Sequence, residues 1–214
     1  MISLSNSTLS LFLECPKCFW LHIVKKITRP RGIFPSLPGG MDLVIKEYFN
    51  RYRAKGILPP LLNGLVKGKL AKIALNLSYS VSEAGFKITG KLDDCLVDNE
   101  LYMPLDHKTR GTLPPDEGYS RNYYQSQMDT YTLLLRESGL KTKNEAYIVY
   151  YAPGKGELHK GVPFKIVVHK LKTDPDGVHA QFLKAKKCID SSIPEPGTNC
   201  KYCAWVKRIV SDSN

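Results

Sequence analysis

The chain has 214 residues, 43% of them apolar, which is enough to bury one substantial core. The 31 Lys and Arg against 20 Asp and Glu leave a net charge of +11, which argues against an acidic or neutral partner and for a polyanion, nucleic acid first. No uninterrupted apolar stretch approaches the roughly 20 residues needed to cross a bilayer, so no membrane association is expected.

No Pro/Gly/Ser-rich linker divides the chain, and a single domain over 1–214 is the expectation. The basic residues fall into three groups: Lys25, Lys26, Arg29 and Arg31; Lys67, Lys69 and Lys72; and Lys184, Lys186 and Lys187. Leu9 to Val24 is apolar but lacks a basic leader and carries Glu14, Lys17 and His22, so it reads as part of the fold and not as a signal peptide. Six cysteines in a chain of this size argue against a disulfide scaffold and for metal binding, and with them for a cytoplasmic protein.

In chain order, Asn6 or Ser7 is expected to cap a helix with Leu9, Phe12, Leu13, Phe19, Trp20 and Ile23 near helical spacing and a break at Pro16. A Pro/Gly-rich crossing from Pro30 to Gly40 follows, then a helix over Met41 to Arg53, with Met41, Val44, Ile45, Tyr48, Phe49 and Tyr52 on one stripe. From Leu75 the period changes to two. Leu75, Leu77, Tyr79 and Val81 form one strand, and the stretches 86 to 97 and 101 to 109 are expected to pair as a hairpin about Asp98-Asn99. Tyr123 to Arg136 predicts a helix, Ala146 to Tyr151 and Phe164 to Leu171 strands, and Asp176 to Ile189 a helix. This order fits an α/β fold with a mixed central β-sheet flanked by helices.

The hairpin carries the chemistry. Asp106 and Lys108 are two apart on a strand, so a carboxylate and an ammonium share one face. A turn near Asn99 sets Asp93 opposite Leu105 or Asp106, near enough for two carboxylates to share a hard cation such as Mg²⁺ or Mn²⁺. A cation that polarises a phosphate and activates water, with a lysine beside that water, is the equipment of phosphodiester hydrolysis. By itself D…DxK is a weak motif, for which an ordinary cross-strand salt bridge is the simpler reading. Asp94 is expected on the opposite face in a structural role. Asp98, Glu100 and Asp116 read as turn or surface acids, and Tyr123, Tyr124 and Arg121 either line a nucleic-acid groove or pack.

Gly90-Lys91-Leu92-Asp93 followed by Pro104-Leu105-Asp106-His107-Lys108-Thr109 resembles the second and third motifs of the RecB-like PD-(D/E)xK nucleases. Gln127-Met128-Asp129-Thr130-Tyr131 is similar to the helical QxxxY motif of that family, and its Gln127 and Tyr131, at i and i+4, face one side of the helix. The resemblance implies a restriction-endonuclease-like core and a metal-dependent DNA nuclease, an exonuclease in repair, recombination or CRISPR-type processing. It implies catalytic roles for Asp93, Asp106, Lys108, Gln127 and Tyr131. It also implies a metal site of Asp93, Asp106, the backbone carbonyl of His107 and, where the family commonly has an upstream histidine, Asp42. Implied partners are single- or double-stranded DNA and a helicase or CRISPR-type protein. Two rivals stand beside this reading: a catalytically inactive nucleic-acid-binding module of the same fold, and a zinc-stabilised interaction protein.

Cys15-Pro16-Lys17-Cys18 and Cys200-Lys201-Tyr202-Cys203 are two CxxC pairs near the two ends. Four thiolates suit tetrahedral Zn²⁺ or an iron-sulfur cluster, and spacing alone does not choose. The segment from Leu4-Ser5 through Cys15-Pro16-Lys17-Cys18-Phe19-Trp20-Leu21 resembles the start of iron-sulfur members of the same superfamily, in which one N-terminal cysteine joins three C-terminal ones. Here no third C-terminal cysteine follows, the tract being Ala204 to Val210, and Cys18 takes its place. A 4Fe-4S cluster is the implied centre and zinc the alternative. Cys95 and Cys188 are expected to pack in the core.

Overall fold

The computed structural model describes residues 1–30, 32–33 and 36–212. Arg31 of the first basic group, and Phe34 and Pro35 of the Pro/Gly-rich crossing, lie outside the described residues. In chain order the elements are β1 (Ile2–Ser5), α1 (Asn6–Glu14), α2 (Pro16–Val24), α3 (Ser36–Lys55), β2 (Lys69–Leu70), β3 (Asn76–Val81), β4 (Phe86–Lys91), β5 (Asp94–Asp98), β6 (Leu101–Thr109), α4 (Glu117–Glu137), β7 (Glu145–Pro153), β8 (Phe164–Lys172), α5 (Pro175–Ile189) and α6 (Lys201–Asp212). The result is the expected mixed α/β fold. Among the described residues no helix is long and apolar enough to cross a membrane.

The chain forms two compact units. The larger comprises 34–79 and 90–178 and holds a five-stranded sheet in the order β2-β5-β6-β7-β8. β6 and β7 run parallel, joined through α4, while β2/β5, β5/β6 and β7/β8 are antiparallel. β7 lies inside the sheet and buries both faces, which is why its sequence is an almost unbroken apolar run. Tyr147, Val149 and Tyr151 join Ile45 and Phe49 of α3 in one core. Ala146, Ile148 and Tyr150 join Met128, Tyr131 and Leu135 of α4 in the other. Period two in the strand and period 3.6 in each helix meet across the two faces.

The smaller unit comprises 1–33, 80–89 and 179–214. β1 pairs parallel with β4, from Ile2 opposite Phe86 to Ser5 opposite Thr89. Phe19 and Phe182 are fully buried in it, and Phe12 meets Phe19 edge-on with centroids 5.3 Å apart. α1 is capped one residue earlier than expected: the Ser5 N–H donates to Thr8 Oγ1 at 2.8 Å. Pro16 does break the helix, and then serves as the first residue of α2, where its missing N–H costs nothing.

Three expectations about local structure give way. The stretch 86 to 97 is not one strand of a hairpin: β4 ends at Lys91 and pairs with β1, and only β5 pairs with β6. The helix expected from Met41 begins at Ser36, because Pro38, Gly39 and Gly40 fall in its first turns, where backbone donors need no partner. Asp116 is no bystander but the N-cap of α4, accepting from the Tyr119 N–H at 3.0 Å, so that helix starts six residues ahead of Tyr123. The β5–β6 turn falls near Asn99 as expected but is one residue later than Asp98-Asn99: Asp98 still pairs with Leu101, and Asn99 and Glu100, at φ 48° and 62°, form the loop.

Candidate active site

Side-chain alternation along β6 splits the polar residues between the two helical layers. Leu105 and His107 face α3, while Asp106 and Lys108 face α4. Asp106 is 1% exposed, and burial pushes its carboxyl up to about 6. Its Oδ1 accepts from Gln127 Nε2 at 3.0 Å. Its Oδ2 forms a close ion pair with the Lys108 ammonium at 2.6 Å, the partner on that side of the carboxylate.

α4 aims a relay at that carboxylate. Lys108 Nζ donates to Gln127 Oε1 at 3.2 Å, Gln127 Nε2 also donates to the Tyr131 hydroxyl at 2.9 Å, and that hydroxyl donates to the Lys91 carbonyl at 2.9 Å. The i, i+4 spacing of Gln127 and Tyr131 makes this continuous. The relay requires α4 to lie close over the end of β4, and Gly90 permits it. A Cβ there would stand 2.5 Å from Leu134 Cδ1 and 3.3 Å from Tyr131 Cε1. Gly90→Ala is therefore expected to cost about 1–3 kcal/mol, because the buried Leu134 and the hydrogen-bonded Tyr131 ring have little room to yield. Thermal unfolding of the variant checks this, and an unchanged midpoint would mean that the contact relaxes freely.

Asp93 sits just beyond the ladder in which Asp94 opposes Leu105, and its Oδ2 accepts from the His107 N–H at 3.1 Å. The charge of Asp93 adds to the upward shift of Asp106. Asp94 takes the other face. It is 1% exposed, accepts from Arg53 Nε at 2.7 Å, and lies 3.3 Å from His107 Nε2. With Nε2–H donating to Asp94, His107 Nδ1 accepts from the Tyr151 hydroxyl at 3.1 Å. The imidazole also packs on Phe49, centroids 4.2 Å apart. Its ring is thus taken up on the α3 side, away from Asp106.

Asp42 lies on α3 and is paired to Lys46. Lys46 in turn is shifted up, first by its hydrogen bond to Asp42 and more weakly by the charges of Asp93 and Asp106. Among the described residues Asp42, Asp93 and Asp106 do not close into a cage: the one group of three or more acidic, His or Cys ligand atoms lying within 4.8 Å of one another is the four cysteines. Asp106, Lys108, Gln127 and Tyr131 are brought together directly, Asp93 joins through His107, and Asp42 remains with Lys46.

The reading from sequence passed over Arg53, Arg110 and Tyr119. Arg53 Nη2 holds the Asp93 carbonyl at 3.2 Å, so α3 positions the acid beside the site. The Arg110 guanidinium lies 4.2 Å from the Tyr119 ring centroid, Tyr119 stacks at 4.5 Å on the exposed Tyr123, and Lys108 Nζ lies 4.9 Å from the Tyr124 centroid. An arginine and tyrosines at helical spacing were the available signal.

In the smaller unit, Cys18 Sγ lies 3.6 Å from both Cys200 Sγ and Cys203 Sγ, and Cys15 Sγ lies 3.8 Å from Cys203 Sγ. Cys95 is buried and Cys188 half-buried, both outside this group.

The sequence model of the PD-(D/E)XK nuclease superfamily matches residues 50–208. The chain belongs to that superfamily. The matched stretch includes Asp93, Asp106, Lys108, Gln127 and Tyr131 and leaves Asp42, Cys15 and Cys18 outside it. Superfamily membership makes the protein a nuclease in general terms, a hydrolase whose substrate is nucleic acid and whose class works with divalent metal ions. No curated protein matches the chain. The crystal structure of the protein SSO0001 is similar, at 15% identity and a TM-score of 0.46, over 95% of this chain and 83% of that one.

Proposed function

We propose that the chain is one nuclease domain that hydrolyses DNA with Mg²⁺ or Mn²⁺, acting as an exonuclease in repair, recombination or CRISPR-type processing. The observation that carries the reading is Asp106: a buried carboxylate 2.6 Å from a lysine ammonium and beside a second acid. Asp106 and Asp93 offer hard carboxylate oxygens near one another, the donor type that suits Mg²⁺ or Mn²⁺, and Lys108 balances part of their charge.

Asp106 and Asp93 would hold the ion, with the His107 carbonyl and Asp42 added by resemblance to the family, Asp42 only after leaving its pair with Lys46. When bound, the ion polarises the phosphate and lowers the pKa of its water. Lys108 would stand beside the attacking water and offset the charge developing on phosphate. Gln127 holds both Asp106 and Lys108, and Tyr131 anchors Gln127, so both act as positioning residues. Arg110 and the exposed Tyr123 offer a cation and a ring face beside Lys108, suited to phosphate and to an unpaired base.

Incubating the full chain with labelled single- and double-stranded DNA, with Mn²⁺ and with chelator, tests the reading. Cleavage that requires the ion supports it. Binding without cleavage in either ion would leave an inactive binding module. The basic surface, with Lys67, Lys69 and Lys72 all exposed, predicts binding that weakens steeply with salt, by about 10³-fold or more between 50 and 200 mM if six or more phosphates are neutralised. A flat salt dependence would argue against an electrostatic groove.

A further inference from the structure

The four cysteines sit in the smaller unit with their sulfurs close together: three pairs are 3.6–3.8 Å apart and all lie within 4.8 Å of one another. With metal–sulfur bonds of about 2.3 Å, a tetrahedral ion holds its ligand sulfurs about 3.8 Å apart, since a tetrahedron's edge is about 1.6 times its centre-to-vertex length. A 4Fe-4S cluster, which the sequence resemblance implies, sets four irons and four sulfides between its thiolates and spreads them well beyond that edge. These sulfurs do not fit the cluster. They fit one ion.

The surroundings suit thiolates held for an ion. Cys15 Sγ accepts from the Gly197 N–H at 3.2 Å and from the Cys18 N–H at 3.5 Å, the latter within its own CxxC turn. A Cβ at Gly197 would stand 2.2 Å from the Glu14 carbonyl oxygen, so only glycine lets this backbone approach the sulfur so closely. Arg29 Nη2 donates to Cys200 Sγ at 3.3 Å, placing a cation beside a centre that four thiolates and one divalent ion leave with two negative charges. These contacts orient sulfurs as the outer partners of metal ligands do.

We infer that Cys15, Cys18, Cys200 and Cys203 bind a single four-coordinate ion of the zinc class, replacing the iron-sulfur cluster implied by resemblance. The ion ties residues near 15 to residues near 200, so its binding is coupled to folding of the unit it closes.

The test is metal and acid-labile sulfide analysis of the full chain purified anaerobically, with Co²⁺ added after removal of the native metal. Expected are one zinc per chain, no sulfide, and an intense Co²⁺ spectrum typical of tetrahedral thiolates. Removing the metal with chelator should lower the unfolding midpoint by on the order of 10 °C. About four irons with equivalent sulfide would overturn the inference, as would protein with no bound metal. One iron without sulfide would overturn the choice of metal. Because the readout is composition, it stands apart from the cleavage assay: failure of DNA hydrolysis leaves it untouched, and its failure leaves the nuclease reading untouched.

Discussion

Asp106→Asn is expected to reduce Mn²⁺-dependent cleavage on the order of 10³-fold or more while leaving the folded protein as stable as the parent or more so. Both parts follow from the same carboxylate. It supplies the buried oxygen proposed as metal ligand, and several kcal/mol of transition-state stabilisation go with it. Its carboxyl, pushed up to about 6 by burial, keeps a proton in the folded chain between about pH 4 and 6 that the unfolded chain has released. Stability therefore falls as pH rises through that window and stays lower above it, and the neutral amide removes this cost. Lys108→Ala should also impair cleavage, by on the order of 10²-fold, since it removes the group facing the water and leaves Asp106 without its ion pair. Single-turnover rates and thermal midpoints at pH 7 check both. Parent-like rates in both variants would remove this site from the reaction.

Asp94→Ala should do the reverse and act first on stability. This carboxylate is 1% exposed, with Arg53 at 2.7 Å and His107 Nε2 at 3.3 Å, and its loss strands a guanidinium and a buried ring N–H. Breaking a buried pair from one side costs about 3–5 kcal/mol. The lower end is expected, because Arg53 keeps the Asn50 side chain and the Asp93 carbonyl. Denaturant unfolding should show a loss near 3 kcal/mol, and Asp94→Asn, which keeps an acceptor for Arg53, should lose less. If Asp94→Ala unfolds like the parent, the α3 layer does not depend on this pair and the separation of roles between adjacent aspartates fails.

That separation shows what a local pattern encodes. Alternation along a strand already put Asp106 with Lys108 and apart from His107, and set Asp93 and Asp94 on opposite faces. Helical spacing put Gln127 with Tyr131. These relations need only the backbone period of one element, and Asp116, an N-cap taken for a surface acid, shows that even local signals are missed when a helix starts outside its apolar stripe.

Local patterns along the chain carry the α/β class, the shared face of Asp106 and Lys108, the two CxxC pairs and the motif order that marks the superfamily. How the elements pack sets the rest: β4 leaves β5 to pair with β1, Arg53 and His107 claim Asp94, Gly90 admits α4, and the four cysteine sulfurs gather within 4.8 Å of one another. The difference is one of range. Periodicity and capping act over a few residues, while strand partners, ion pairs such as Arg53 with Asp94, and the spacing of Cys18 from Cys200 join residues 41 to 182 positions apart and are set by how whole elements pack.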